Sequence, residues 1–120
     1  MTTQQRGKVY LVLSVIWTII SLFAFLAPRG TVDVDRAFFI PGMDKIAHFI
    51  IFAIWIFLVA MAIRKRKKSM DTRMLFLFFT GLALLTEILQ IFIDGRSFDL
   101  RDLLANFLGL VAGLLIYRRV

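Results

Sequence analysis

The sequence predicts an all-α protein, a bundle of four transmembrane helices, and three observations carry that expectation. Hydrophobic residues make up 60% of the chain, well above the roughly 45–50% of an average soluble domain. They gather into four blocks, Val9 to Ala27, Asp44 to Ile63, Met74 to Ile93 and Leu100 to Tyr117, each near the ~20 residues an α-helix needs to cross hydrocarbon. Basic residues collect at the ends of those blocks, as topology signals do. A length of 120 residues allows one compact unit, so residues 1–120 are read as a single domain. The absence of cysteine excludes a disulfide framework, a thiolate nucleophile and a zinc–thiolate site. The net charge of +7 does not indicate nucleic acid, because the basic residues flank apolar spans and stand in no nucleic-acid-binding motif.

The first block follows a short basic segment containing Arg6 and Lys8. Bulky Phe25 and the immediate Pro28 do not fit a signal-peptide cleavage site at Ala27, so an uncleaved span is expected. Ser14, Thr18 and Ser21 share one helical face and predict a contact with a neighbouring helix. Pro28 ends that helix. A mixed-charge loop leads to Pro41-Gly42 and then to the second span, whose N-cap is expected at Asp44. Asp44 and His48 lie four residues apart on one face, with Lys45 beside them. The run from Arg64 to Lys68 closes the span and is read as a topology signal rather than a patch for anionic lipid. In the third span Thr80, Ala83, Glu87, Gln90 and Asp94 form a stripe that grows more polar towards its end. Gly95 permits a sharp turn, and Asp99 is the expected N-cap of the fourth helix. Asp99, Asp102, Asn106, Gly109 and Gly113 then follow at steps of three, four, three and four. The short connection of residues 94–98 predicts that spans three and four form an antiparallel hairpin.

Alternating the connections between the two membrane sides separates the charges. One side holds Arg6, Lys8, the five residues from Arg64 to Lys68, Arg73, Arg118 and Arg119, ten of the fifteen basic residues, with Asp71 as its one acid among eight. That Lys/Arg excess places both termini in the cytoplasm. The same alternation brings Asp44, Lys45 and His48, Glu87 and Gln90, and Asp99, Asp102 and Asn106 to one depth at the outer face. Three separate spans thus contribute to one polar pocket. Polar side chains in hydrocarbon are costly and normally face protein or water, so the convergence marks a site.

The ordered set Asp44-Lys45-x-x-His48-Phe49, Glu87-x-x-Gln90 and Arg96-x-x-Asp99-x-x-Asp102-x-x-x-Asn106-x-x-Gly109-x-x-x-Gly113 resembles the VanZ-like family of small bacterial membrane proteins. The resemblance runs from Asp44 to the end of the chain. It implies a multi-pass protein of the bacterial cytoplasmic membrane, connected with the cell envelope. The family takes its name from a protein associated with resistance to the glycopeptide teicoplanin. No reaction comes with the resemblance.

His48, Glu87 and Asp102 are the candidate catalytic residues. Imidazole and carboxylates suit several divalent metals, and the same trio can run acid–base chemistry in a low dielectric or form an ion-pair network that fixes helix register. All three uses stay open at this stage, and no cofactor is specified. Asp44, Lys45, Gln90, Arg96, Asp99, Arg101 and Asn106 are candidate ligand-binding residues. Asp44 and Asp99 also serve as caps, and the cations balance nearby acids. Gly109 and Gly113 are packing residues that let backbones approach. Cationic groups and helix N-termini suit a phosphate or carboxylate, which suggests an anionic lipid-linked or peptidyl envelope ligand at the outer leaflet. The alternative is a non-catalytic helical adaptor that stabilises an envelope complex. A transporter ranks third, because the inner halves of the spans are apolar or small.

Overall fold

The computed structural model describes residues 1–27, 43–66, 71–93 and 97–120. Among the described residues it is all-helical: α1 Thr3–Leu26, α2 Met43–Lys65, α3 Thr72–Gln90 and α4 Leu100–Arg119. At 1.5 Å per residue these helices are about 28 to 36 Å long, and all four are apolar enough to cross a membrane. Their outer faces carry large apolar side chains such as Ile19, Phe23, Leu77, Phe78 and Leu104, each more than half exposed. In water such a surface would be untenable; against lipid it is expected. The chain is a multi-pass membrane protein.

The ends differ from the sequence expectation in instructive ways. α1 begins six residues before Val9 because Thr2 and Gln5 form a reciprocal capping box, with Gln5 N donating to Thr2 Oγ1 at 3.1 Å and Thr2 N to Gln5 Oε1 at 2.7 Å. α2 begins at Met43, so Asp44 lies in its first turn rather than at its N-cap. Its carboxylate still faces the positive end of the helix. α3 is capped by Asp71, which accepts from Arg73 N at 2.9 Å, and ends at Gln90, short of Ile93. Asp99 caps α4 as expected, accepting from Arg101 N at 2.8 Å.

α2 is the hub. Its hydrophobicity runs all round, the mark of a helix with protein on several sides, and it is the most buried of the four. α1 lays Gly7, Ser14 and Ser21, all buried, along its inner face. The Ser14, Thr18 and Ser21 hydroxyls donate back to carbonyls three or four residues earlier, at 2.7–2.8 Å. That leaves the Thr18 oxygen to accept from Trp55 Nε1 of α2 at 2.9 Å, while Trp17 Nε1 donates to Ile51 O at 3.0 Å. α4 meets α2 through Gly109 and Gly113. A Cβ on Gly109 would collide with the Phe49 carbonyl, and one on Gly113 with the Ala53 carbonyl and with Ile56 Cγ2 at 2.6 Å. Two glycines four apart therefore ride on two α2 residues four apart, at backbone contact. α3 and α4 do touch, but more thinly than α4 touches α2.

A column of aromatic rings fills the bundle axis. Phe25 lies 5.4 Å from Phe52, Phe52 5.3 Å from Trp55, and Trp55 5.5 Å from Phe79, all between ring centroids. Offset and edge-on rings at these spacings pack favourably. Both chain termini are at one end of the bundle: Arg64 donates to Val120 O at 3.2 Å and lies over Tyr117, while Gly7 abuts Lys65 and Arg66. The buried His48, Glu87, Asp102 and Asn106 are at the other.

Candidate functional site

The site begins with α2. Its first turns present Lys45 outward and His48 inward, and His48 is 5% exposed. The last turn of α3 adds Glu87 at 0%. The first two turns of α4 add Asp102 and, one turn deeper, Asn106, both buried. The helix positions explain the meeting: His48 is two turns into α2, Glu87 one turn from the end of α3, and Asp102 and Asn106 the matching depth of α4. The convergence in depth read from the sequence is thus real contact.

Asn106 Oδ1 lies 2.8 Å from His48 Nδ1. A carbonyl oxygen accepts only, so with Oδ1 facing the ring Nδ1 is the donor, and in a neutral imidazole Nε2 then carries the lone pair. Nε2 stands 3.8 Å from Asp102 Oδ2, and Nδ1 stands 3.7 Å from Glu87 Oε1. One donor atom each from His48, Glu87 and Asp102 fits within 4.8 Å of the others, so these three could hold a metal ion. Phe25, in the last turn of α1, flanks the site, its ring 4.8 Å from the imidazole.

At the rim Lys45 Nζ is surrounded by acids. It donates to Asp44 Oδ2 at 2.8 Å and to Asp99 Oδ2 at 3.0 Å, and it pairs with Asp102 Oδ1 at 2.6 Å, off the direction of a hydrogen bond. Beneath it two buried atoms have no hydrogen-bond partner among the described residues, Glu87 Oε1 and Asn106 Nδ2. The other Glu87 oxygen accepts a long bond from Asp99 N at 3.5 Å. The hydrogen bond from Lys45 is the main reason the Asp99 carboxyl is pulled down from 3.8 to about 2, with the Arg101 backbone N–H and charge adding to it.

The expected ligand-binding residues divide. Asp44, Lys45, Asp99 and Asn106 join the cluster around His48, Glu87 and Asp102. Gln90 does not: it is buried and its Nε2 donates to Phe25 O at 2.9 Å, tying α3 to the last turn of α1. Arg101 is 82% exposed on its side chain and reaches Asp99 Oδ1 only at 3.4 Å. Arg96 lies outside the described residues. Sequence reasoning missed Phe25, which both flanks the site and supplies the carbonyl for Gln90. It stands in Leu-Phe-Ala-Phe-Leu, where nothing local separates it from Phe23, which faces outward.

No curated protein and no solved structure matches the chain. A family model does, over residues 2–120, which takes in α1 as well as the region from Asp44 onward that carries the motif resemblance. The buried residues that meet in the cluster are those of the motif set, and the match spans the whole bundle that holds them: the chain belongs to the VanZ/LLP1 family.

Proposed function

We propose that this VanZ-like membrane protein works at the outer leaflet of the bacterial cytoplasmic membrane, where it binds an anionic lipid-linked ligand of the cell envelope. In that orientation the termini and the basic run after α2 are cytoplasmic and the polar cluster opens outward. The distribution of Lys and Arg supports it. The observation that carries the ligand reading is a groove of about 590 Å³ between α3 and α4, within the range of small-molecule pockets. Ala83, Leu84, Leu103, Leu104 and Phe107 wall it, and Arg101 also lines it. Arg101 is in the first turn of α4, so the guanidinium stands at the outer mouth while the apolar walls descend about 14 Å to Leu110. Hydrocarbon suits the walls, and a phosphate suits a guanidinium beside a helix N-terminus. Lys45 is taken up by three carboxylates, whereas Arg101, its side chain 82% exposed, meets Asp99 only at 3.4 Å, so among the described residues Arg101 is the cation open to an anion.

The test uses the full chain in detergent with EDTA and a polyprenyl phosphate as probe, bound lipid being counted by native mass spectrometry. One lipid per chain is expected. Arg101→Gln should weaken retention ten- to a hundredfold, the worth of a charge-assisted hydrogen bond of about 1.5–3 kcal/mol. Leu104→Trp should block the groove. Equal retention of a zwitterionic phospholipid, or indifference to both substitutions, would overturn the reading. The family's association with teicoplanin is a separate expectation, read as a shift in susceptibility when the gene is deleted. A modifying step is the second reading, favoured by the buried His48–Glu87–Asp102 trio at the same end of the bundle. Glu87→Gln keeps the shape and loses the charge. If the trio is only a strut, the folded variant retains function; if it handles protons, function is lost with lipid retention intact.

A further inference from the structure

We propose that His48, Glu87 and Asp102 bind one divalent transition-metal ion, with Asn106 as the positioning residue for the imidazole. This goes beyond lipid binding and stands or falls separately from it.

Four observations converge. The first is geometry: one donor atom from each of three helices, all within 4.8 Å of one another. Donors about 2.0–2.2 Å from a first-row ion are about 3 Å apart when adjacent and about 4 Å apart when opposed. Side-chain rotations of roughly an ångström close the gap. The second is Glu87 Oε1, which is fully buried and has no hydrogen-bond partner among the described residues. It stands 3.7 Å from the Nδ1 edge of the imidazole, and it still belongs to the set of three donors that lie within 4.8 Å of one another. The third is the ring itself. With Asn106 Oδ1 as acceptor at 2.8 Å, Nδ1 is the donor, and Nε2 faces Asp102 Oδ2 at 3.8 Å. A metal-binding histidine is held in just this manner, its second nitrogen donating to an oxygen of the surrounding shell. The fourth is charge. Asp44, Glu87, Asp99 and Asp102 bring four carboxylates, while Lys45 and Arg101 bring two cations among the described residues. Among the described residues carboxylates outnumber cations around the trio, which favours a cation there.

The donor set selects the class of ion. Two carboxylates and one imidazole, with no sulfur, suit Mn²⁺ and Zn²⁺ better than a soft ion. The path in is short. Asp44 and Asp99 are part-exposed at the rim, and Asp102 links them to the interior. Phe25 flanks the imidazole, and Phe52 stacks on Phe25.

The experiment is a Mn²⁺ titration of the tag-free full chain in lipid-free detergent after chelator treatment, followed by the loss of the free-ion EPR signal. Expected is one saturable site per chain, displaced by Zn²⁺. Glu87→Gln and His48→Gln should weaken it at least a hundredfold, and Asn106→Leu about tenfold, as outer-shell substitutions do. Asp71→Asn, at the opposite end of the bundle, should leave it unchanged. Where a cluster variant does not yield monodisperse protein, the otherwise unmutated chain decides. A spin label on Ser97→Cys should be strongly broadened by the bound Mn²⁺, and one on Thr2→Cys should not. No saturable binding below about 1 mM (weaker than roughly 4 kcal/mol), unaltered binding in Glu87→Gln, or equal broadening of the two labels would overturn the proposal.

Discussion

Asn106 brings its amide oxygen within 2.8 Å of His48 Nδ1, so a neutral side chain orients the ring at the centre of a buried ionisable cluster. Its burial against protein, like that of His48, Glu87 and Asp102, was legible in the sequence because a polar side chain in an apolar run has no cheap place to go. What it would bond to was not, since spacing gives depth and face but not partner. The same limit explains Gln90 and Lys45. Both looked like ligand contacts, but Gln90 ties two helices together and Lys45 is held by Asp44, Asp99 and Asp102. Asp99 adds a pH dependence whose sign follows from its depressed carboxyl. The group is charged in the folded state down to about 2 and in the unfolded chain only above its ordinary 3.8. Its stabilising effect is therefore complete above about pH 4 and is lost as pH falls through 2. Because the side chain is partly exposed, the effect is modest and salt-screened. In detergent, the acid limb of the thermal midpoint between pH 4 and pH 2 should be shallower in Asp99→Asn than in the parent. Superimposable limbs would show that the Lys45 bond contributes nothing.

At the scale of elements, the glycines separate packing from propensity. Gly109 has the Phe49 backbone in the space a methyl group would need, whereas nothing lies within 4 Å of a Cβ on Gly81. A clash with backbone is not relieved by a rotamer change. Gly109→Ala should cost about 1–3 kcal/mol, the range of overpacking, and Gly109→Leu more. Gly81→Ala should stabilise α3 by up to about 1 kcal/mol through helix propensity. Thermal unfolding in one detergent checks the pair, and equal shifts of the same sign would mean that close contact between α2 and α4 is not what the glycines provide. The sequence marked Gly109 and Gly113 as packing residues but did not reveal that their partner is α2. A short loop predicts that neighbouring spans meet, and α3 and α4 do. It carries no information on which contact is closest, and that is set by Phe49 and Ala53 on a helix much earlier in the chain. The early start of α1 was legible too, in Thr2-x-x-Gln5, but the apolar block beginning at Val9 drew the boundary instead.

For the whole molecule, the four spans and the gathering of polar residues at one end follow from hydropathy and charge, while the aromatic column does not, because Phe and Trp within an apolar run look alike whether they face lipid or protein. Orientation is open to direct measurement. The chain has no cysteine, so single cysteines replacing Arg66 and Ser97, exposed at opposite ends, should react with an impermeant thiol reagent from opposite sides of sealed vesicles. Reaction of both from one side would end the four-span topology. The column of Phe25, Phe52, Trp55 and Phe79 has an electrical consequence. Its deeper rings, Phe52, Trp55 and Phe79, are buried between the cluster and the far end of the bundle, so most of the membrane voltage should drop across them rather than across the short path from the rim. A full crossing is worth ~2.3 kcal/mol per charge at 100 mV, roughly a thousandfold in affinity for a divalent ion. An ion entering His48–Glu87–Asp102 from the rim samples only a small part of that field. If the cluster holds the proposed ion, its occupancy in energised proteoliposomes should shift by no more than a few-fold.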